Sequence, residues 1–137
     1  MSRTRPLIAI IDDDESVSRA LRRLVRSLGM NADTFTSGQE FIDLIEAAPS
    51  FDADCVVLDV HMPGLDGLEV QRRLVRSGKL LPVIFITGRD ELGVQERAMA
   101  AGAVAFLRKP FSDELFVKTL REAFKRSLGG GQEGGTT

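Results

Sequence analysis

Apolar positions along the chain alternate between two patterns. Leu7, Ile8, Ala9, Ile10 and Ile11 form a continuous run rich in β-branched residues. A strand reads this way when both of its faces are buried. Val17, Ala20, Leu21, Leu24, Val25 and Leu28 then recur three and four residues apart, the stripe of an amphipathic helix. Gly29 stands where a helix C-cap is expected. Residues 30–35 predict a weaker strand. Ser37 and Glu40 make a capping-box pattern, and Phe41, Leu44 and Ile45 supply the apolar stripe of the helix that follows. The apolar run 55–58 predicts a third strand that stops at Asp59, and Pro63-Gly64 marks a turn before a helix over 68–76. Residues 82–86 predict a strand ending at Thr87, 91–101 a helix closed by Gly102, and 104–107 a short strand ending near Lys109. Leu115, Phe116, Thr119, Leu120, Ala123 and Phe124 line a last helix.

Strands that alternate with helices imply a parallel sheet covered on both faces, so the pattern predicts an α/β, doubly wound fold of five strands and five helices. A chain of 137 residues is one domain by size and can bury a core without disulfides or a structural metal. Phe35, Phe41, Phe51 and Phe124 read as core residues. Cys55, the single cysteine, sits in an apolar strand and reads as an inert core thiol. A net charge of −2 argues against a nucleic-acid-binding surface. The first apolar run is too short for a signal peptide or a membrane span, which makes a cytoplasmic protein with no membrane contact the expectation. Residues 129–137 hold five glycines and no apolar residue. They read as a flexible tail or linker stub after a domain over 1–128.

In open α/β sheets the functional crevice lies beyond the carboxyl ends of the strands. The first strand ends in Asp12, Asp13, Asp14 and Glu15, the third in Asp59 and the fourth in Thr87, and the fifth runs into Lys109. Acids, a hydroxyl and an amine therefore meet on one rim. Carboxylates crowded at the mouth of a buried sheet repel one another and call for a cation. A carboxylate donor set suits a hard ion such as Mg²⁺. Asp14 and Glu15 read as favourable charges at the start of the next helix. Asp12 and Asp13 read as metal ligands, because Asp59 offers a matching carboxylate. Asp59 beside such an ion can act as a nucleophile toward a phosphoryl group, with Lys109 and Thr87 meeting the phosphoryl oxygens.

These residues lie in blocks that resemble the receiver domain of bacterial two-component response regulators. The blocks are Ile10-Ile11-Asp12-Asp13, the run from Leu58 through Asp59, His61, Met62, Pro63 and Gly64 to Gly67, then Thr87-Gly88, and Phe106-Leu107-Arg108-Lys109-Pro110-Phe111. The resemblance spans about residues 7–128, and its details are most similar to the nitrogen-fixation and nodulation regulator branch. It implies a flavodoxin-like sheet in the order 2-1-3-4-5. It implies that Asp59 accepts a phosphoryl group from a sensor histidine kinase or a phosphotransfer protein. Asp13 and Asp59 would hold Mg²⁺ directly, Asp12 through water, and His61 through its backbone carbonyl. Thr87 and Lys109 would contact the phosphoryl group, and the Lys109–Pro110 peptide would be cis. Phe106 matches the switch aromatic, and Gly88 stands where many receivers carry Ala. His61 and Arg89 would flank the path of hydrolytic water and tune dephosphorylation. Such a domain is a phosphoacceptor switch, not an enzyme in its own right. Its output partner is an attached domain or another protein, and residues 93–128 are the expected surface for output contacts or a homodimer.

A second class competes. Asp12-x-Asp14 after an apolar strand resembles the nucleophile motif of Mg²⁺-dependent haloacid-dehalogenase-type phosphohydrolases. Such an enzyme would carry its covalent phosphate on Asp12. A flavodoxin-like cofactor binder is disfavoured, because four acids after the first strand repel a phosphate.

Overall fold

The computed structural model describes residues 5–89 and 91–130. Its elements are β1 (Leu7–Ile11), α1 (Glu15–Ser27), β2 (Asn31–Phe35), α2 (Gly38–Ala47) and β3 (Cys55–Asp59), then α3 (Gly67–Arg76), β4 (Val83–Thr87), α4 (Val94–Ala100), β5 (Ala105–Arg108) and α5 (Asp113–Gly130). All strand pairs are parallel, in the order β2-β1-β3-β4-β5. This is the doubly wound, flavodoxin-like sheet that the alternation and the resemblance imply. The order reverses between β1 and β3, which opens a crevice at their carboxyl ends.

Helices cover both faces, and that explains why the central strands are unbroken apolar runs. One core packs Ile8, Ile10, Val57, Ile84 and Ile86 against Leu21 and Val25 of α1 and Phe116 and Leu120 of α5. The other packs Ala9, Ile11, Val56, Leu58 and Phe85 against residues of α2, α3 and α4. Burying each such aliphatic or aromatic side chain contributes about 1.5–3 kcal/mol, so these layers fix the rim above them. Phe35 and Phe41 are buried and meet edge to face, with Phe51 against Phe41, and Phe124 is half-buried in the opposite core. Cys55 is fully buried, and that burial pushes its thiol up to about 12. The thiolate is absent at neutral pH and the residue is inert.

Local details depart from the sequence reading in places. Ser37 caps α2 through the Glu40 amide, but Glu40 reaches back to the Thr36 amide, one residue before the cap. The fourth helix begins at Val94, not at residue 91. Gly93 has φ +83°, a left-handed conformation that no helix can contain, so the segment from Glu91 is a turn. Helix α5 continues through Gly130, two residues past the expected boundary at 128, and the rest of the glycine-rich stretch, 131–137, lies outside the described residues. No helix among the described residues is long and apolar enough to cross a membrane.

Candidate functional site

Strand register builds the site. Ile11 pairs with Leu58, so the next residues, Asp12 and Asp59, emerge side by side where β1 and β3 end. Thr87 pairs with Arg108, which brings Lys109 to the same rim. Asp12 is completely buried and Asp59 is 4% exposed. The Lys109 ammonium lies between them, 2.9 Å from Asp12 Oδ2 and 3.5 Å from Asp59 Oδ2. The Lys109–Pro110 peptide is cis, as the resemblance implies. The other oxygen of Asp12 accepts the Asp14 amide at 2.9 Å. The other oxygen of Asp59 accepts the His61 amide at a longer 3.4 Å. Asp59 therefore keeps only long hydrogen bonds, while Asp12 has one oxygen hydrogen-bonded and the other, buried, in ion-pair contact with Lys109 but without a hydrogen bond.

Burial first, and repulsion from Asp12 second, push the Asp59 carboxyl up to about 7, against the pull of Lys109. Burial works to lower the Lys109 ammonium, but Asp12 and Asp59 outweigh it and hold it above its ordinary value. A buried acid with a raised pKa in a crevice marks a functional position with a physical rationale. Asp12, Asp13 and Asp59 each place a ligand atom within 4.8 Å of the others. Two buried carboxylates and one exposed one make an all-oxygen donor set, which fits a hard divalent cation.

Three further residues lie where the sequence puts them, with contacts it does not reveal. Thr87 is buried, and its hydroxyl bonds within its own loop, accepting the Arg89 amide at 3.1 Å and donating to the Arg89 carbonyl at 3.3 Å. Phe106 is half-buried and packs against the core that includes residues of α4, two strands away from Asp59. A Cβ built on Gly88 would meet only the Lys109 stem, at 3.8 Å, so this position is open space beside the site. His61 and Arg89 line a polar recess of about 430 Å³ with Asp13, Met62 and Pro63. The Arg89 side chain is 68% exposed and turns toward Glu91, with Nη1 4.0 Å from the carboxylate.

One residue escapes the sequence reading, and a second is named there without its physical reason. Glu91, expected inside a helix, instead places its carboxylate 3.2 Å from His61 Nε2. Gly67 lets α3 start against the end of β3, where a Cβ would come within 2.3 Å of the Asp59 carbonyl oxygen. The motif names Gly67 but not its reason, which is a backbone approach visible only in the fold.

The phosphohydrolase alternative needs an accessible Asp12 and a free Asp14. Asp12 is buried under Lys109. Asp14 caps α1, with one oxygen taken by the Ser16 amide and hydroxyl. Those contacts hold the Asp14 carboxyl below its ordinary range. The pair serves a counter-ion and a helix cap.

Comparisons with known proteins agree. The model of the response regulator receiver domain matches residues 8–121. Response regulator protein TodT of Pseudomonas putida is 39% identical over 125 residues, 91% of this chain and 54% of TodT. Nodulation protein W of Bradyrhizobium diazoefficiens is 37% identical over 123 residues, 90% of this chain and 53% of that protein. The chain thus spans about half the length of these curated relatives, and the nodulation branch is among them beside TodT. The crystal structure of a response regulator receiver protein from Burkholderia phymatum is 56% identical, with a TM-score of 0.79, covering 88% of this chain and 96% of that one. None of these supports a phosphohydrolase. With the family model spanning all five strands, this chain belongs to the response regulator receiver domain family of two-component signalling.

Proposed function

We propose that this receiver switches when Asp59 accepts a phosphoryl group from a sensor histidine kinase or a phosphotransfer protein. The observation that carries the reading is the unequal hold on the two buried acids. Asp12 Oδ1 accepts the Asp14 amide at 2.9 Å and its Oδ2 has only an ion-pair contact with Lys109, while Asp59 is held on both oxygens by long hydrogen bonds of 3.4 and 3.5 Å, a grip that leaves it free to react. An Asp59 oxygen attacks phosphorus in line, and the bond from phosphorus to the donor breaks as the new O–P bond forms. The donor leaves with the electron pair. Asp12, Asp13 and Asp59, with the His61 backbone carbonyl, would hold Mg²⁺, which when bound offsets the negative charge that gathers during transfer. Lys109 needs little movement to meet a phosphoryl oxygen. Thr87 must release the Arg89 backbone to do so, and Phe106 then packs into the space that the threonine vacates. That is a two-state change of packing, biased by charge at Asp59.

Output contacts, and a homodimer where one forms, fall on residues 93–128, where Met99 and Leu115 are exposed. The attached or separate output partner acts through that face. His61 and Arg89 govern how long the phosphoryl group lasts, because they line a polar recess with Asp13, a member of the acidic cluster that includes Asp59. With Mg²⁺ and acetyl phosphate the protein should gain the mass of one phosphoryl group, and Asp59→Asn should not. An undiminished gain in that variant would overturn the proposal.

A further inference from the structure

Two loops border the approach to Asp59. The loop after β3 carries His61, and the loop after β4 carries Arg89 and Glu91. One carboxylate touches both. Glu91 Oε1 lies 3.2 Å from His61 Nε2, and Oε2 lies 4.0 Å from Arg89 Nη1. The His61 backbone is held as well, since its amide donates to Asp59 Oδ1 at 3.4 Å. The imidazole lies against Glu91 in an ion-pair contact without a hydrogen bond at Nε2, and its side chain is only 25% exposed. Glu91 stands apart from the acidic cluster of Asp12, Asp13 and Asp59. A carboxylate at the mouth of a site that receives an anion is unfavourable by simple repulsion. The Arg89 guanidinium at 4.0 Å offsets part of that cost, and the closer approach to His61 points to its role.

We propose that Glu91 is a positioning residue that ties the two loops together and holds His61 across the water path, so that it lengthens the life of phosphorylated Asp59. This rests on the reading that His61 shields the phosphoryl group. In hydrolysis a water oxygen bonds to phosphorus as the Asp59 O–P bond breaks. The carboxylate leaves with the electron pair, and the water's protons pass to phosphate and solvent. An imidazole held over that line excludes the water. A free one does not.

The test is the decay of the phosphorylated full chain after acetyl phosphate is removed, in excess Mg²⁺ at fixed pH. Four proteins are compared with the parent: Glu91→Ala, Glu91→Gln, His61→Ala and the double variant His61→Ala with Glu91→Ala. Decay should be several-fold faster in Glu91→Ala. Glu91→Gln keeps an acceptor oxygen for His61 and should restore most of the lifetime. His61→Ala should decay as fast as the double variant, because the glutamate acts through the imidazole. If His61→Ala decays faster but Glu91→Ala does not, the tether is wrong and the shielding role stands. If His61→Ala decays at the parent rate, the shielding role fails and the tether with it. Additive effects, or no rescue by glutamine, would overturn the tether as well.

Discussion

Helices α3 and α4 cover the same face of the sheet, yet they are held to it unequally. Helix α3 is capped by Asp66, whose side chain accepts the Glu69 amide at 2.9 Å. Glu69 in turn receives Arg72 and Arg73, and Val70, Gln71 and Leu74 are buried. Helix α4 has seven residues and no side-chain cap, follows a left-handed Gly93, and buries only Val94 and Ala98. Leu92, just before it, is fully exposed. A helix this short has no stability of its own and persists only through its docking. Its C-terminal end is pinned, because Gln71 donates to the Ala101 carbonyl at 3.1 Å, while its N-terminal end has no side-chain cap among the described residues. The same division runs through the site. The acids and Lys109 sit on the fixed side, and Thr87, Arg89 and Glu91 lead into the loosely held side. Chemistry needs preorganised groups, and a switch needs an element with low local stability. This fold keeps the two apart.

Gly67→Ala should give the largest effect. Its Cβ would lie 2.3 Å from the Asp59 carbonyl oxygen, so either α3 or the end of β3 must shift. The loss in urea unfolding should reach about 3 kcal/mol, the upper range for overpacking, and phosphoryl acceptance should fall with it. Gly93→Ala meets no atom within 4 Å and should cost only about 1 kcal/mol for its positive φ. Equal losses would break the comparison.

A middle-sized effect should come from pH in metal-free buffer. The raised Asp59 carboxyl binds a proton in the folded state that the unfolded chain has already released above its ordinary value of 3.8. Folded stability is therefore favoured at low pH and falls as pH rises toward about 7. Asp59→Asn should remove that fall and be more stable than the parent at pH 8 by about 1–3 kcal/mol. Added Mg²⁺ should narrow the gap. Stability curves that run parallel between pH 5 and 8 would contradict it.

The smallest signal is spectroscopic. With a beryllofluoride mimic on Asp59, amide shifts should cluster from Thr87 to Lys109, including α4 and Phe106, and leave α3 nearly still. Shifts confined to the Asp12 and Asp59 loops, or spread evenly over both helices, would undo the division drawn above.

How far the sequence carries this picture depends on the range of the interaction. Asp12 and Asp59 are legible because a strand buried on both faces must stop where the first charged residue can reach the rim. The register that sets them side by side follows from the same runs. The ion pairs of Lys109 with Asp12 and Asp59 join distant parts of the chain, so only the fold reveals that the lysine lies between the two acids. Glu91 was hidden for a local reason. The pattern after it is helical, and a glycine at position 93 is compatible with a helix until its φ is known. Thr87 was recognised by its place, but its bond to the Arg89 backbone depends on a turn that composition does not specify.

The shared lysine has one more consequence, in the charge balance of the rim. When Asp59 is ionised, three carboxylates face one ammonium, and two negative charges stand uncompensated in and above a dry interior. One divalent cation brings that count to neutral. The resting site is then electrically complete, with nothing to gain from its neighbours. A phosphoryl group on Asp59 reopens the deficit, and every fixed cation on the rim is already committed. The shortfall must be met from groups that can travel, and those lie on the Thr87 side. On the proposed phosphorylation of Asp59, electroneutrality would thus set a direction: it would draw the loosely held limb toward the sheet and leave the anchored limb where it is.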